Sequence, residues 1–81
     1  MIIKVLFFGK LRELLELDSK ILTILEENYS IQDLINHLKK SYPILNEHKF
    51  VVSLNKNYVF DYDEDLHNND ELALIPPISG G

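Results

Sequence analysis

Apolar residues recur along this chain with two different periods, and the changes of period mark out its elements. The opening segment MIIKVLFF is β-branched and aromatic, which reads as a strand. Alternation puts Ile3, Val5 and Phe7 on one face and Ile2, Lys4, Leu6 and Phe8 on the other. Lys4 marks the second face as the wetter one. Gly9 ends the strand, and Leu11, Leu14 and Leu15 follow at helical spacing for one or two turns. Asp18–Ser19 makes a turn, and Lys20 to Leu25 reads as a second strand that pairs with the first.

The clearest helix starts at Ser30. Ser30 and Asp33 have the spacing of a capping box, in which each side chain serves an unpaired backbone N–H of the other. Tyr29 and Leu34 are placed as a hydrophobic staple. Ile31, Leu34, Ile35 and Leu38 form one apolar stripe, Lys39 and Lys40 suit the negative end of the helix dipole, and Pro43 closes the helix. Phe50 to Leu54 reads as a third strand and Asn55–Lys56–Asn57 as a turn, since Asn tolerates positive φ. Tyr58 to Phe60 returns as a short strand, Asp61 to Asp65 is an acidic loop, and His67 to Asp70 is another turn. Glu71 to Ile75 is the last strand, with Leu72 and Leu74 on one face and Ala73 and Ile75 on the other, and Pro76–Pro77 ends it. The expected class is α+β: a mixed sheet of about five strands with one main helix packed across one face.

The 81 residues and 9.4 kDa allow one domain, and 46% apolar with 26% charged residues is globular composition. The longest stretch without a charge, Leu72 to Gly81, is too short to cross a bilayer, and the amino terminus has no secretory pattern. There is no cysteine, which excludes disulfides and thiolate chemistry and suits a cytoplasmic protein. Charge is uneven: residues 1–56 carry a net +1, residues 57–81 a net −6 and no base, within a total of −5. A nucleic-acid partner needs a basic stripe, and only Lys39–Lys40 are adjacent, so nucleic acid and membrane are not expected partners. The acidic end could instead meet a basic protein surface.

Conventional catalytic signals are absent. A calcium loop starting at Asp61 would need Gly and Glu where Leu66 and Leu72 stand. His37, His48 and His67 fall in three different elements without ligand spacing, and no metal site is expected. What remains is the end of the chain, Pro76-Pro77-Ile78-Ser79-Gly80-Gly81. The Pro pair stiffens the exit from the sheet. Ile78 is apolar beyond the last strand, which points to a partner that covers it. Gly80 and Gly81 carry the free carboxylate without side chains, a shape suited to a narrow channel. Residues 1–77 are read as the folded domain and 78–81 as a flexible tail.

Three segments, VLFFGKLREL (Val5 to Leu14), VSLNKNYV (Val52 to Val59) and NDELALIPPISGG (Asn69 to Gly81), together resemble the small, sulfur-carrier subunit of molybdopterin synthase. That family has the ubiquitin-like β-grasp fold, and the resemblance covers essentially the whole chain. It implies that an ATP-dependent adenylyltransferase, similar to ubiquitin-activating enzymes, adenylates the carboxylate of Gly81. Sulfur then replaces AMP to give a thiocarboxylate, and no cofactor is bound permanently. The resemblance further implies that the tail enters the large catalytic subunit, in a heterotetramer of two carriers on a central dimer. There it gives its sulfur to a cyclic pyranopterin phosphate, forming the dithiolene that binds molybdenum. The small subunit is then no enzyme on its own. Gly81 matches the thiocarboxylated glycine and Gly80 its neighbour. Phe8, Tyr58 and Ile75 occupy positions that resemble the family's apolar partner patch, with Ile78 beside them. Two positions depart from the pattern: Ile75 stands where an aromatic is frequent, and Asn69 where Gly is frequent. The competing readings are a sulfur carrier for thiazole synthesis, a ubiquitin-like protein modifier, and a plain interaction module.

Overall fold

The structure, a computed structural model, describes residues 1–77. Along the chain run β1 (Ile2–Phe7), α1 (Gly9–Leu15), β2 (Ser19–Thr23), α2 (Ile31–Ser41), a 3-10 turn (Pro43–Glu47), β3 (Val51–Leu54), β4 (Asn57–Val59) and β5 (Glu71–Ile75). The strands form one mixed sheet in the order β2-β1-β5-β3-β4. β1 and β5 are parallel neighbours at its centre, and the other three pairings are antiparallel. This is the expected α+β arrangement, with α2 across one face.

Alternation decides which face is covered. Ile3, Val5 and Phe7 of β1, Val52 and Leu54 of β3, and Leu72 and Leu74 of β5 are buried in one core. The stripe of α2, Ile31, Leu34, Ile35 and Leu38, is buried in the same core. Each such side chain removed from water contributes roughly 1.5–3 kcal/mol before entropy is counted. Leu11 of α1, Leu45 of the 3-10 turn and Leu66 close the edges of the core.

The start of α2 has all four of its free backbone donors satisfied. Asp33 N–H donates to Ser30 Oγ at 3.1 Å, and Ser30 N–H donates to Asp33 Oδ2 at 2.9 Å, the reciprocal capping box. Leu34 N–H returns to the Ser30 carbonyl. The first two donors, Ile31 and Gln32 N–H, reach the carbonyls of Glu64 and Tyr62 at 2.9 Å each. The acidic loop is therefore a backbone cap for the helix, anchored by the burial of Leu66. Tyr29 packs against this corner, and its phenol is raised above the usual 10.0 by burial, then by Glu26 and Asp33.

Several boundaries move for physical reasons. β2 ends at Thr23, opposite Ile2; the Met1 amine and carbonyl both bond Ile24 beyond it, and Leu25 is left 88% exposed. β3 begins at Val51 rather than Phe50, because its partner Ile75 is followed by Pro76, which has no N–H. Leu14 is exposed rather than packed, since a seven-residue helix brings only Leu11 fully onto the sheet. The turn after β3 narrows to Asn55 and Lys56, both with positive φ, and Asn57 already belongs to β4. Positive φ at both central positions is the two-residue hairpin geometry that matches strand twist. Asn69 has φ 70°, the left-handed conformation its position in the turn requires.

The reciprocal cap gives a direct test. Ser30→Ala is expected to lower unfolding stability by about 1 kcal/mol. Urea denaturation should show a reduced midpoint with an unchanged slope, because the surface exposed on unfolding stays the same.

Candidate functional site

Among the described residues no helix covers the second face of the sheet, and its side chains follow from the register. One row across it runs Ser19, Leu6, Ala73, Ser53 and Tyr58, from β2 through to β4. The central pair is small, and both residues are buried, Ala73 5% and Ser53 8% exposed. Larger neighbours overhang them. Phe8, Leu6, Ile75 and Tyr58 stand around this small-residue floor and enclose a shallow depression of about 300 Å³. Lys56 and Glu71 also line the depression and supply its polar groups.

Three of the residues singled out in the sequence are thus brought together. Phe8, 44% exposed, comes from the junction of β1 and α1, Tyr58 (63%) from β4, and Ile75 from the end of β5. Beside them a second hollow of about 360 Å³ is walled by Val51, Tyr58, Phe60, Ile75, Pro76 and Pro77. Phe60, 85% exposed, was not among the residues named from the sequence. Its signal was available: it stands two residues after Tyr58, the spacing that puts both on one side of an extended chain. The small floor residues Ala73 and Ser53 carry no such signal, because only the register opposes them.

The two hollows meet at the root of the tail. Phe8 N–H donates to the Leu74 carbonyl at 3.2 Å, holding the end of β1 against the end of β5. Gly9 follows with φ 54°, and a Cβ built there would come within 3.0 Å of Pro76 Cγ. A glycine is therefore needed on two counts, backbone conformation and contact with the proline that starts the exit from the sheet. Ile78, Gly80 and Gly81 lie outside the described residues.

Among the described residues no group of three or more His, Asp or Glu could hold a metal ion. His67 Nδ1 lies 3.9 Å from Asp70 Oδ2 on the surface, and His37 is exposed on α2. In the acidic loop Asp61 turns its carboxylate onto the Asp63 N–H at 3.0 Å. The arrangement is an apolar, partly exposed surface at the end of β5.

Residues 5–81 match the model of the ThiS family. The chain is 38% identical to the molybdopterin synthase sulfur carrier subunit of Dictyostelium discoideum, over 96% of this chain and 94% of that protein. Its fold is similar to that of a Pyrococcus furiosus chain assigned as molybdopterin converting factor subunit 1, with a TM-score of 0.85 at 27% identity, covering 96% of this chain and 99% of the other. It is also similar in fold to a chain in the complex of subunits 1 and 2 of molybdopterin-converting factor from Helicobacter pylori, with a TM-score of 0.74 at 20% identity and full coverage of both.

Gly9 tests how the root of the tail is set. Gly9→Ala should destabilise the fold by about 1–2 kcal/mol, the cost of a side chain in the left-handed region, with any displacement of Pro76 added. Amide chemical shifts should change at Phe8 and Ile75, on either side of the contact, while those of α2 stay in place.

Proposed function

This chain belongs to the ThiS family, and we propose that it is the sulfur-carrier subunit of a molybdopterin synthase, acting through the carboxylate of Gly81. One observation carries the reading: an apolar face converges on the root of a chain end that finishes in Pro-Pro-Ile-Ser-Gly-Gly. The name carried by the Dictyostelium relative supports molybdopterin synthesis over thiazole synthesis.

The chemistry follows from the weakness of a carboxylate as an electrophile. An adenylyltransferase joins it to the α-phosphate of ATP and releases pyrophosphate, giving a mixed anhydride with AMP as a good leaving group. A hydrosulfide equivalent, delivered by other proteins, forms the new C–S bond as the bond to AMP breaks. The thiocarboxylate at Gly81 then gives its sulfur to a cyclic pyranopterin monophosphate, and water returns the terminus to a carboxylate. The absence of cysteine fits this route, since the sulfur rides on the main chain.

The carrier's own part is geometric. Phe8, Tyr58 and Ile75, with Phe60 and Leu6, form the surface for the large catalytic subunit, and Ile78 extends it along the tail. Small residues at Gly80 and Gly81 let the terminus enter a narrow channel without steric selection against it. Two carriers on a central dimer of large subunits complete the heterotetramer, and the Helicobacter pylori neighbour of the same fold is itself a two-subunit complex. The carrier holds no permanent cofactor and works in the cytoplasm. Among the described residues no helix is long and apolar enough to cross a membrane.

Two experiments test the halves of this proposal separately. Phe8→Glu should weaken the complex with the large subunit by a few kcal/mol, because a charge is placed in a buried interface. Its unfolding midpoint should stay close to wild type, since Phe8 lies outside the core. Binding is measured by calorimetry, and wild-type affinity would remove this face from the interface.

Adding one alanine after Gly81 should spare both the fold and docking yet abolish sulfur transfer. The reacting group is moved by about 3.3–3.6 Å along an extended chain, and reaction needs its atoms held at ~3–3.5 Å. The readout is molybdopterin formation by the reconstituted synthase, with carriers thiocarboxylated by chemical ligation so that activation is bypassed. Turnover equal to wild type would rule out a role for the terminal position.

A further inference from the structure

On the helix side of the sheet lies a groove that the open face does not use. It has a volume of about 520 Å³, larger than either hollow on the open face. Gln32, Ile35 and Lys39 form one wall, spaced so that a single side of α2 presents all three. His48, Lys49 and Phe50, in the segment leading into β3, form the other wall. We propose that this groove is a second docking surface, which receives an acidic segment of a protein partner carrying an apolar anchor side chain.

Charge is the first argument. The chain carries a net −5, and residues 57–81 contain six acids and no base. Yet Lys39, Lys49 and His48 line one groove, and among the described residues no carboxylate lines it with them. Among the described residues neither lysine has an acidic partner within ion-pair distance. The dipole of α2 accounts for Lys39, which stands in its last turn. It does not account for Lys49, which approaches from a different element. The net negative charge of the chain disfavours acidic partners overall, and two lysines in one groove offset it locally, which would orient an encounter.

The second argument is the floor. Phe50, Tyr62 and Ile35 give the groove apolar and aromatic surface, and the Lys39 ammonium lies 5.8 Å from the centroid of the Phe50 ring. That placement keeps the positive charge over apolar surface, so one ligand can meet both. Phosphate polymers fit less well, because two lysines in an anionic chain supply too few counterion sites. The four residues after Pro77, which also lines the groove, offer a single carboxylate to this concentration of positive charge. An acidic segment offers several. The groove shares no lining residue with the depression around Ser53, and it meets the second hollow at Val51 and Pro77.

The test is a chemical-shift titration of the full chain with a blocked synthetic peptide holding four Glu or Asp around one Leu and one Phe. Shifts are expected at Gln32, Lys39, His48, Lys49 and Phe50, and not at Phe8 or Tyr58. Binding should weaken as salt is raised, and should fall when the peptide's Leu and Phe are replaced by Ser. Lys39→Glu with Lys49→Glu should weaken it about tenfold, whereas Lys4→Glu with Lys10→Glu, the same change in net charge, should leave it within about twofold. Lys49→Ala alone gives a milder variant, expected to show an intermediate loss. Equal losses from both charge reversals would show that only net charge is sensed and would overturn the proposal. So would shifts confined to the open face. Groove shifts produced merely by amidating the carboxylate of Gly81, with no peptide present, would assign the groove to the chain's own terminus and overturn the partner assignment.

Discussion

The parallel pairing of β1 with β5 is the constraint on which the rest of this molecule depends. These are the first and last strands, yet they are neighbours at the centre of the sheet, with Val5 opposite Leu72 and Phe7 opposite Leu74. β5 also carries β3, and through it the hairpin with β4. Without β5 the sheet separates into two hairpins, and neither has a face large enough to bury α2. Loop closure across nearly the whole chain must precede this pairing, which makes the topology costly in entropy before it is rewarded in contacts. The reward is that β5 ends in the middle of the sheet, with the Leu74 carbonyl held by the Phe8 N–H and Pro76 set close against Gly9.

Polar groups in the connecting segments serve this closure. Asn55, in the hairpin turn between β3 and β4, donates its N–H to the Glu71 carbonyl and accepts the Glu71 N–H on Oδ1, while its Nδ2 reaches Asp70. One side chain thereby ties the hairpin to the first residue of β5. The Asn68 side chain accepts the Ile2 N–H at 2.7 Å, and the Asn69 N–H returns to the Ile2 carbonyl. The acidic loop does the same for α2, offering carbonyls where carboxylates would have suggested a metal site. Its negative charge is a solvated consequence of being a surface loop, and its backbone is the part the fold uses.

A sheet covered on one side only must do something with the other. Here the open face is made of two kinds of residue: small ones in the central strands, and large ones at the rim. That pattern gives a depression rather than a flat apolar surface, and a depression can receive a partner's side chain while shedding little bound water. It lies next to the hollow lined by Pro76 and Pro77, so under the proposed function a partner seated on Phe8, Tyr58 and Ile75 would lie at the end of β5. The groove beside α2 also reaches Pro77.

The amino-acid sequence by itself determined those features that depend on neighbours in the chain. The capping box of Ser30 and Asp33, the stripe of α2, the inward set Ile3, Val5 and Phe7, and the turns at Asn55 and Asn69 are written in spacings of two to seven residues. Local sterics and the two hydrophobic periods decide them. Only the tertiary structure decided where strands stop, as at Val51 opposite Ile75, because a strand's length is set by its partner's available donors. It alone put Ala73 and Ser53 on the floor beneath Phe8 and Tyr58, gave Gly9 its contact with Pro76, and turned the acidic loop into the cap of α2. Each of these joins residues far apart in sequence, and register across a sheet is fixed by the whole core at once, which no short window of sequence contains.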